Sequence, residues 1–526
     1  MDQRRSDNKA AGENDPSSTS EAASIRRKSV LQFVSVAAII GVVMGTYWHI
    51  TRYGLIGFDS YPIILTSRVQ SVGDLVGNFT EKLMDGRYTG DFYRPLLNLS
   101  FALDYAAWGL RPLGYQLTNL ALFAGCALAL YGLVRRLTGR GSWLAPVVAA
   151  LYFVLHPAQF EVVPVPPRRA ETMCCMLMAL ALFTQLSPII LAMRRPPILP
   201  GIITLLAIGA KETALIVPLL IFLAVVLYSP RYGIRPRVLH AAVASIVPVV
   251  AVALMLTARW LVLGGMGGHE PRPLADVVTS APQSAWAIAA NLIFPQPVMR
   301  ESATFRSLLV ALAVGLTLTA GLTTTYRRRT NAPRRTGPPL ISAAIVALFW
   351  MLPFMTVGAA AGRIEVWYAM LPATGLAILV GVAAAGLVAA IRQGPALLRI
   401  PAVPSVLLMG AFIGWQVRYA PLFQPYDEYE RATATGDQFL AELERRIRYA
   451  ANGSIVHAPL IPVWIAPRQD RPAIRGATVL VDYSIQAWAE LTFPNRRITV
   501  LPRTPQTPKP AADEILVLVE QKMQIL

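Results

Sequence analysis

Two carboxylates and a handful of cations are the residues whose types and spacing could do chemistry. Asp59 stands in Gly57-Phe58-Asp59-Ser60, and Asp91 in Gly86-Arg87-Tyr88-Thr89-Gly90-Asp91-Phe92-Tyr93-Arg94-Pro95-Leu96, three residues before Arg94. His156-Pro157-Ala158-Gln159-Phe160-Glu161 is followed closely by Arg168-Arg169-Ala170-Glu171. Ala210-Lys211-Glu212-Thr213 interrupts an apolar run, and Gly362-Arg363-Ile364-Glu365 precedes Tyr368. Guanidinium groups grip phosphate through paired hydrogen bonds, and a lysine serves the same anion as a point charge. A carboxylate beside such a phosphate could take the proton of an incoming hydroxyl while the cations stabilise charge on the departing phosphate. The bland reading of each cluster is mutual pairing, worth under about 1 kcal/mol at a surface.

Composition says what must position these groups. Of 526 residues 54% are hydrophobic and only 15% charged, against about 25% charged in an average soluble protein. That excludes a disordered chain and argues against a soluble globular enzyme. The net charge is 48 − 30 = +18, yet the basic residues lie between long apolar runs. They do not form the solvated face a nucleic-acid binder needs, so no nucleic-acid partner is expected. Cys126, Cys174 and Cys175 all fall in apolar stretches, which gives them a packing role and no metal or disulfide spacing.

A bilayer core about 30 Å thick takes roughly 20 apolar residues per helix. Eleven segments qualify as expected spans: Leu31–Ile50, Tyr115–Val134, Trp143–Leu155, Glu171–Met193, Ile198–Ala210, Ala214–Tyr228, Val238–Leu263, Phe305–Thr325, Leu340–Ala360, Val366–Ile391 and Val403–Trp415. With the N-terminus inside, Arg26, Arg27, Lys28, Arg135, Arg136, Arg194, Arg195, Arg231, Arg327, Arg328, Arg392 and Arg399 all collect on the cytoplasmic side, as short basic loops do. The five clusters then fall on the outer side, and Arg168 with Arg169 breaks the positive-inside pattern there. An anionic ligand would explain the exception. Ionisable groups at membrane depth are expensive and are the first place to look for function.

Residues 1–28 read as a disordered cytoplasmic tail, with the first span a retained anchor. Residues 29–418 form the expected transmembrane unit, in which the first outer loop, 51–113, contains two interfacial helices, Val69–Phe79 and Tyr93–Trp108. The Gly/Pro-rich segment Gly264–Ser302 reads as a loop able to cover a site. In the outer segment 419–526 an amphipathic helix from Asp427 to Tyr449 precedes strands at Ser454–His457, Ala477–Val481, Ile498–Leu501 and Ile515–Val519, with a helix at Ser484–Thr492. This predicts a small extracytoplasmic α/β domain. No internal repeat is visible.

An outer-side site of this kind suits sugar transfer from a lipid-linked donor, whose hydrocarbon tail stays in the bilayer. At these residues the chain resembles the multi-span glycosyltransferases of the GT-C fold, and is most similar to the branch of the transmembrane and tetratricopeptide-repeat O-mannosyltransferases and their bacterial relatives. The resemblance runs over roughly Phe58 to Asp427. It rests on Phe58-Asp59, Tyr93-Arg94-Pro95-Leu96, Trp108-Gly109-Leu110-Arg111-Pro112-Leu113-Gly114-Tyr115 with Asn119, His156-Pro157 with Glu161, Arg169-Ala170-Glu171, Lys211-Glu212-Thr213-Ala214 with Pro218, and Arg363 with Tyr368-Ala369-Met370-Leu371-Pro372. It implies a GT-C-like α-helical polytopic fold and an inverting transfer from a polyprenyl-phosphate-linked sugar to an acceptor hydroxyl, in a bacterial plasma membrane. Asp59 would be the general base, assisted by Asp91. Arg94, Arg168, Arg169, Lys211, Arg363 and Tyr368 would meet the donor phosphate or carrier, supported by His156, Glu161, Glu171 and Glu212.

The chain departs from the family pattern in having Ser60 where relatives often carry a second acid, and Gln116, Phe123 and Gln159 in place of histidines. The potential metal ligands that remain, Asp59, His156 and Glu161, are spread over separate loops. No cofactor and no required metal are expected, with a divalent ion left open. Tetratricopeptide repeats are missing after Trp415, so the acceptor stays open between protein, glycolipid and polymer. The competing class is a non-catalytic membrane protein that binds or translocates a lipid or anion. Transporters usually show two related halves, and no such symmetry is visible.

Overall fold

The computed structural model describes residues 16–87, 91–139, 142–231, 233–265, 267–268, 272–293, 340–362, 365–393, 396–418, 420–423, 427–459, 464–465, 477–503 and 515–516. The expected eighth span, Phe305–Thr325, lies outside these residues. Among the described residues, five helices are long and apolar enough to cross a membrane by length and composition, and four apolar helices are shorter. The chain is a mostly helical, multi-pass membrane protein.

Helix α1 (Pro16–Tyr47) reaches back into the stretch expected to be disordered. The physical reason is propagation: once the apolar part of a helix exists, Ser and Ala residues extend it without a new nucleation step. Its C-terminal end anchors through Tyr47, whose hydroxyl donates to the Val154 carbonyl at 3.0 Å and whose ring meets Phe123 edge-on.

Residues 51–113 contain three α-helices: α2 (Ser60–Ser67), α3 (Val72–Thr80) and α4 (Pro95–Trp108). Helix α3 overlaps the helix expected at Val69–Phe79. It opens with a reciprocal cap between Ser71 and Asp74, and Val72, Leu75, Val76 and Phe79, at i, i+3, i+4 and i+7, are exposed. Such an apolar stripe facing outward suits a lipid boundary. Helix α2 was not expected. Ser60, Tyr61, Pro62, Ile63, Ile64 and Leu65 are all buried, and a short helix apolar all round gives no periodicity to read.

The membrane portion continues with α5 (Pro112–Thr138), α6 (Leu144–Leu155), α7 (Arg169–Gln185), α8 (Pro188–Ala192), α9 (Ile198–Ala210), α10 (Val217–Tyr228) and α11 (Ile234–Leu263). The expected fourth span is thus broken after Gln185, where Ser187 caps α8 and Pro188 takes its first position. Then come α12 (Leu274–Ile293), α13 (Leu340–Phe354), α14 (Val357–Ala361), α15 (Met370–Gln393) and α16 (Ala396–Val417). Helix α5 packs against α6 and α7, and α15 against α6 and α13. At the α15–α6 crossing a Cβ on Gly381 would lie 2.4 Å from the Ala145 carbonyl oxygen, the close approach that small residues permit between membrane helices. Val249, Val250, Leu254, Trp260 and Leu261 on α11 face outward, as lipid-facing positions do.

Much of the segment expected to be a loop, Gly264–Ser302, is the helix α12. Its internal Pro282 hid it in the sequence. The carbonyls of Leu292 and Ile293 at its end are claimed by Gln416 of α16, at 2.7 and 3.1 Å. After α17 (Glu428–Arg448) the chain forms a three-stranded parallel sheet with β1 (Ile455–Pro459) between β4 (Thr499–Arg503) and β5 (Ile515–Leu516). A separate antiparallel pair joins β2 (Trp464–Ile465) to β3 (Ala477–Thr478). Helix α18 (Asp482–Thr492) precedes β4 and packs on α2.

Candidate active site

Asp59 is placed by a turn only glycine makes easily. Gly57 has φ +100°, and a Cβ there would lie 2.7 Å from Val165 Cγ1. The Ser60 hydroxyl returns to the Ile56 carbonyl at 2.7 Å, and the Asp59 carbonyl accepts from Ile63 at 3.0 Å. The loop before α7 is held against α5 by two amides. Gln116 donates to the carbonyls of Gly54 and Pro164, and Asn119 donates to that of Val163.

These segments enclose a cavity of about 330 Å³. Asp59, Arg94, Arg168, Glu171, Lys211, Glu365, Trp367 and Tyr368 line it, with Phe58, Met84 and Phe92 among its apolar walls. Thr478 and Tyr483 reach it from the C-terminal segment. Met84, with Asp85 beside it, has positive φ, 56° and 54°, a conformation non-glycine residues adopt at a strain of about 1–3 kcal/mol and often near functional sites.

The three cations of the cavity wall each have a carboxylate partner. Arg94 makes a two-pronged contact with Glu212, Nε to Oε2 at 3.0 Å and Nη2 to Oε1 at 2.7 Å, and lies 4.6 Å from the Phe92 ring centre. Lys211 pairs with Glu171 and sits 5.8 Å from the centre of the Tyr368 ring. Arg168 donates to the Glu161 carboxylate at 3.0 Å and also to its carbonyl, and its guanidinium stacks 3.7 Å over Trp367. Burial pushes the Glu212 carboxyl up, but the Arg94 guanidinium outweighs it and holds the acid at about 2. Two planar guanidinium groups and one lysine ammonium at a cavity wall suit an anionic group in a low-dielectric site. Among the described residues, no three His, Cys, Asp or Glu side chains come together as a set able to hold a metal ion.

The structure brings Asp59, Arg94, Arg168, Lys211, Glu171 and Tyr368 together at this cavity, and Glu161 and Glu212 stand behind its cations. Three expected site residues lie elsewhere. Arg169 does not line the cavity: its Nη1 donates to Asp104 at 2.6 Å, Nε to Asn119 at 3.0 Å and Nη2 to the Tyr115 carbonyl at 3.1 Å, over the Phe101 ring. It ties α4 to α5 and α7. The Arg169 charge is met there by the buried Asp104. Asp91 does not line the cavity either. It is half-exposed, binds Lys82 at 3.0 Å, and its backbone pairs with Gly268. His156 is buried; Nδ1 accepts from Ala158 N–H, so Nε2 carries the proton and donates to the Leu292 carbonyl at 2.8 Å. Burial lowers it to about 4, so it is a neutral structural cap. Arg363 lies outside the described residues.

Sequence reasoning missed Trp367, Thr478 and Tyr483. Trp367 adjoins Tyr368 and could have been flagged as an aromatic partner for a nearby cation. Nothing local links Tyr483 to Asp59, whose contact joins residues 424 apart.

No family model matches the chain. The Drosophila melanogaster protein O-mannosyl-transferase Tmtc1 is 33% identical over 123 residues, which is 23% of this chain and 14% of that protein. Protein O-mannosyl-transferase TMTC3 of Mus musculus is 30% identical over 146 residues, 27% of this chain and 15% of the mouse protein. The chain thus matches about one seventh of the length of these curated relatives. Among solved structures, the Archaeoglobus fulgidus oligosaccharyltransferase tethered with an acceptor peptide superposes over 89% of this chain and 63% of its own, at 14% identity and TM-score 0.44. ArnT from Cupriavidus metallidurans bound to undecaprenyl phosphate does so over 89% of each chain, at 14% identity and TM-score 0.40. The group that the motifs of this sequence resemble is therefore also the group from which its sequence relatives come.

Proposed function

We propose that the chain is an inverting glycosyltransferase that moves a sugar from a polyprenyl-phosphate carrier to an acceptor hydroxyl on the outer side of a bacterial plasma membrane, with the N-terminus cytoplasmic. The observation that carries this reading is Asp59 lining one cavity with Arg94, Arg168 and Lys211. The acceptor oxygen attacks the anomeric carbon as its proton passes to the Asp59 carboxylate. The bond from that carbon to the phosphate oxygen breaks, its electron pair stays on the phosphate, and polyprenyl phosphate leaves. The cations stabilise the charge that develops on the leaving phosphate, while Trp367 and Tyr368 hold Arg168 and Lys211 toward it. Sequence similarity to O-mannosyltransferases makes mannose the first sugar to try. The acceptor class, protein, glycolipid or polymer, is left open by the cavity.

The test uses the full chain in lipid nanodiscs, supplied with C55-polyprenyl-phosphate mannose or glucose and the membrane and secreted fractions of the host as acceptors. Discharge of the donor to free carrier phosphate is followed by mass spectrometry. Loss of a general base lowers the rate about 10²- to 10⁴-fold, so Asp59→Asn should bind donor and scarcely discharge it. An Asp59→Asn chain as fast as the wild type refutes the role of Asp59. The competing reading, a non-catalytic binder of a lipid or anion, draws on the carboxylate already paired with each cation; donor binding with no discharge by the wild-type chain would favour it.

A further inference from the structure

The C-terminal segment reaches into the catalytic centre through two successive residues. The Tyr483 hydroxyl donates to Asp59 Oδ1 at 3.0 Å, and the Ser484 hydroxyl donates to the carbonyl of Phe58, the residue before Asp59. Both lie in the first turn of α18, whose Ile485, Trp488 and Ala489 are buried; the helix packs on α2, which starts immediately after Asp59. Tyr483 and Thr478 also line the cavity itself. The two contacts differ in kind: Ser484 grips the backbone, whereas the Tyr483 phenol touches the carboxylate.

We infer that Tyr483 is a positioning residue that orients the Asp59 carboxylate for proton acceptance, making the C-terminal segment part of the catalytic apparatus. The inference rests on the reading of Asp59 as the base. An aspartate side chain can rotate about two bonds. A donor fixed on one oxygen sets the plane of the carboxylate and thereby the direction of its remaining lone pairs toward the acceptor. A hydrogen bond donated to a carboxylate also favours its ionised form. Arg94, Arg168 and Lys211, with Glu171, Glu365 and Tyr368, share the cavity and set the rest of its field.

The experiment compares Tyr483→Phe, Ser484→Ala and Asp59→Asn in the nanodisc assay with C55-polyprenyl-phosphate mannose, as pH profiles of kcat and kcat/KM. Removing the phenol hydrogen bond should move the acidic limb of kcat/KM up by about one pH unit. It should also lower kcat about tenfold, with KM for the donor little changed. Ser484→Ala loosens the docking of the same helix without touching the carboxylate and should leave the limb in place. An unmoved limb in Tyr483→Phe, or an equal shift in Ser484→Ala, overturns the inference while an inactive Asp59→Asn leaves the proposed function standing. Full activity in Asp59→Asn removes both. Gel filtration and the unfolding midpoint of each variant separate a lost fold from a displaced carboxylate.

Discussion

Arg169→Met should unfold the protein more readily and leave donor binding almost untouched. The Arg169 side chain is 0% exposed and that of Asp104 7%. The substitution keeps an unbranched side chain while removing the cation, so Asp104 stays buried with the Thr118 hydroxyl at 2.7 Å as a remaining partner, and Asn119 Oδ1 and the Tyr115 carbonyl lose their donors. Removing one member of a buried pair costs about 3–5 kcal/mol, because the other charge is left without compensation. The double variant Asp104→Asn, Arg169→Met should recover much of the loss, and Arg169→Lys should fall between, since an ammonium cannot reproduce the three-way fork. The assay is the fraction of full chain surviving a heat step in detergent, alongside the dissociation constant for undecaprenyl phosphate by microscale thermophoresis. A heat-resistant Arg169→Met chain that has lost tenfold or more in carrier affinity would falsify the structural role and restore Arg169 to the phosphate site.

Two further outcomes follow from the cavity. Because Arg94 holds Glu212 at about 2, below its ordinary 4.5, the folded state binds fewer protons than the unfolded one in that window. The pair's contribution to stability is fully present above pH 4.5 and is lost as pH falls toward 2. The gap in unfolding midpoint between wild type and Glu212→Gln should therefore be widest near pH 7 and narrow on acidification; a gap that grows toward pH 3 contradicts the assignment. Trp367→Leu removes the ring beneath Arg168, an interaction worth about 0.5–2 kcal/mol. The donor KM should accordingly rise about 2- to 30-fold with kcat nearly constant, and an unchanged KM in steady-state discharge would separate Arg168 from the carrier.

Hydropathy made the helices visible because each must bury its own backbone polar groups in lipid, and that demand writes long apolar runs into the sequence. Helix α9 accordingly has its expected limits and α11 ends at the expected Leu263, whereas α13 starts at the expected Leu340 but stops at Phe354, with α14 taking up most of the rest of that span. Charge type marked Asp59, Arg94, Arg168 and Lys211 as candidates, since ionisable groups near membrane depth are costly, and the four do line one cavity. Pairing was not legible. Arg168 and Arg169 are neighbours in the chain, but α7 begins between them, and its geometry turns one toward the cavity and the other into the junction with Asp104. The same holds for α2, whose uniform apolarity carries no period, and for Tyr483, which reaches its partner only through the docking of α18.

The hydrogen bond between Asp59 and Tyr483 also sets a clock. A chain made at about 5–20 residues per second needs roughly 20–85 s to travel the 424 residues that separate the two. The Asp104–Arg169 junction closes after only 65. The pairs Arg94–Glu212, Arg168–Glu161 and Lys211–Glu171 are likewise all synthesised long before the Asp59 carboxylate can meet the Tyr483 phenol. The Asp104–Arg169 and Asp59–Tyr483 contacts are thus separated in time by the order of synthesis alone.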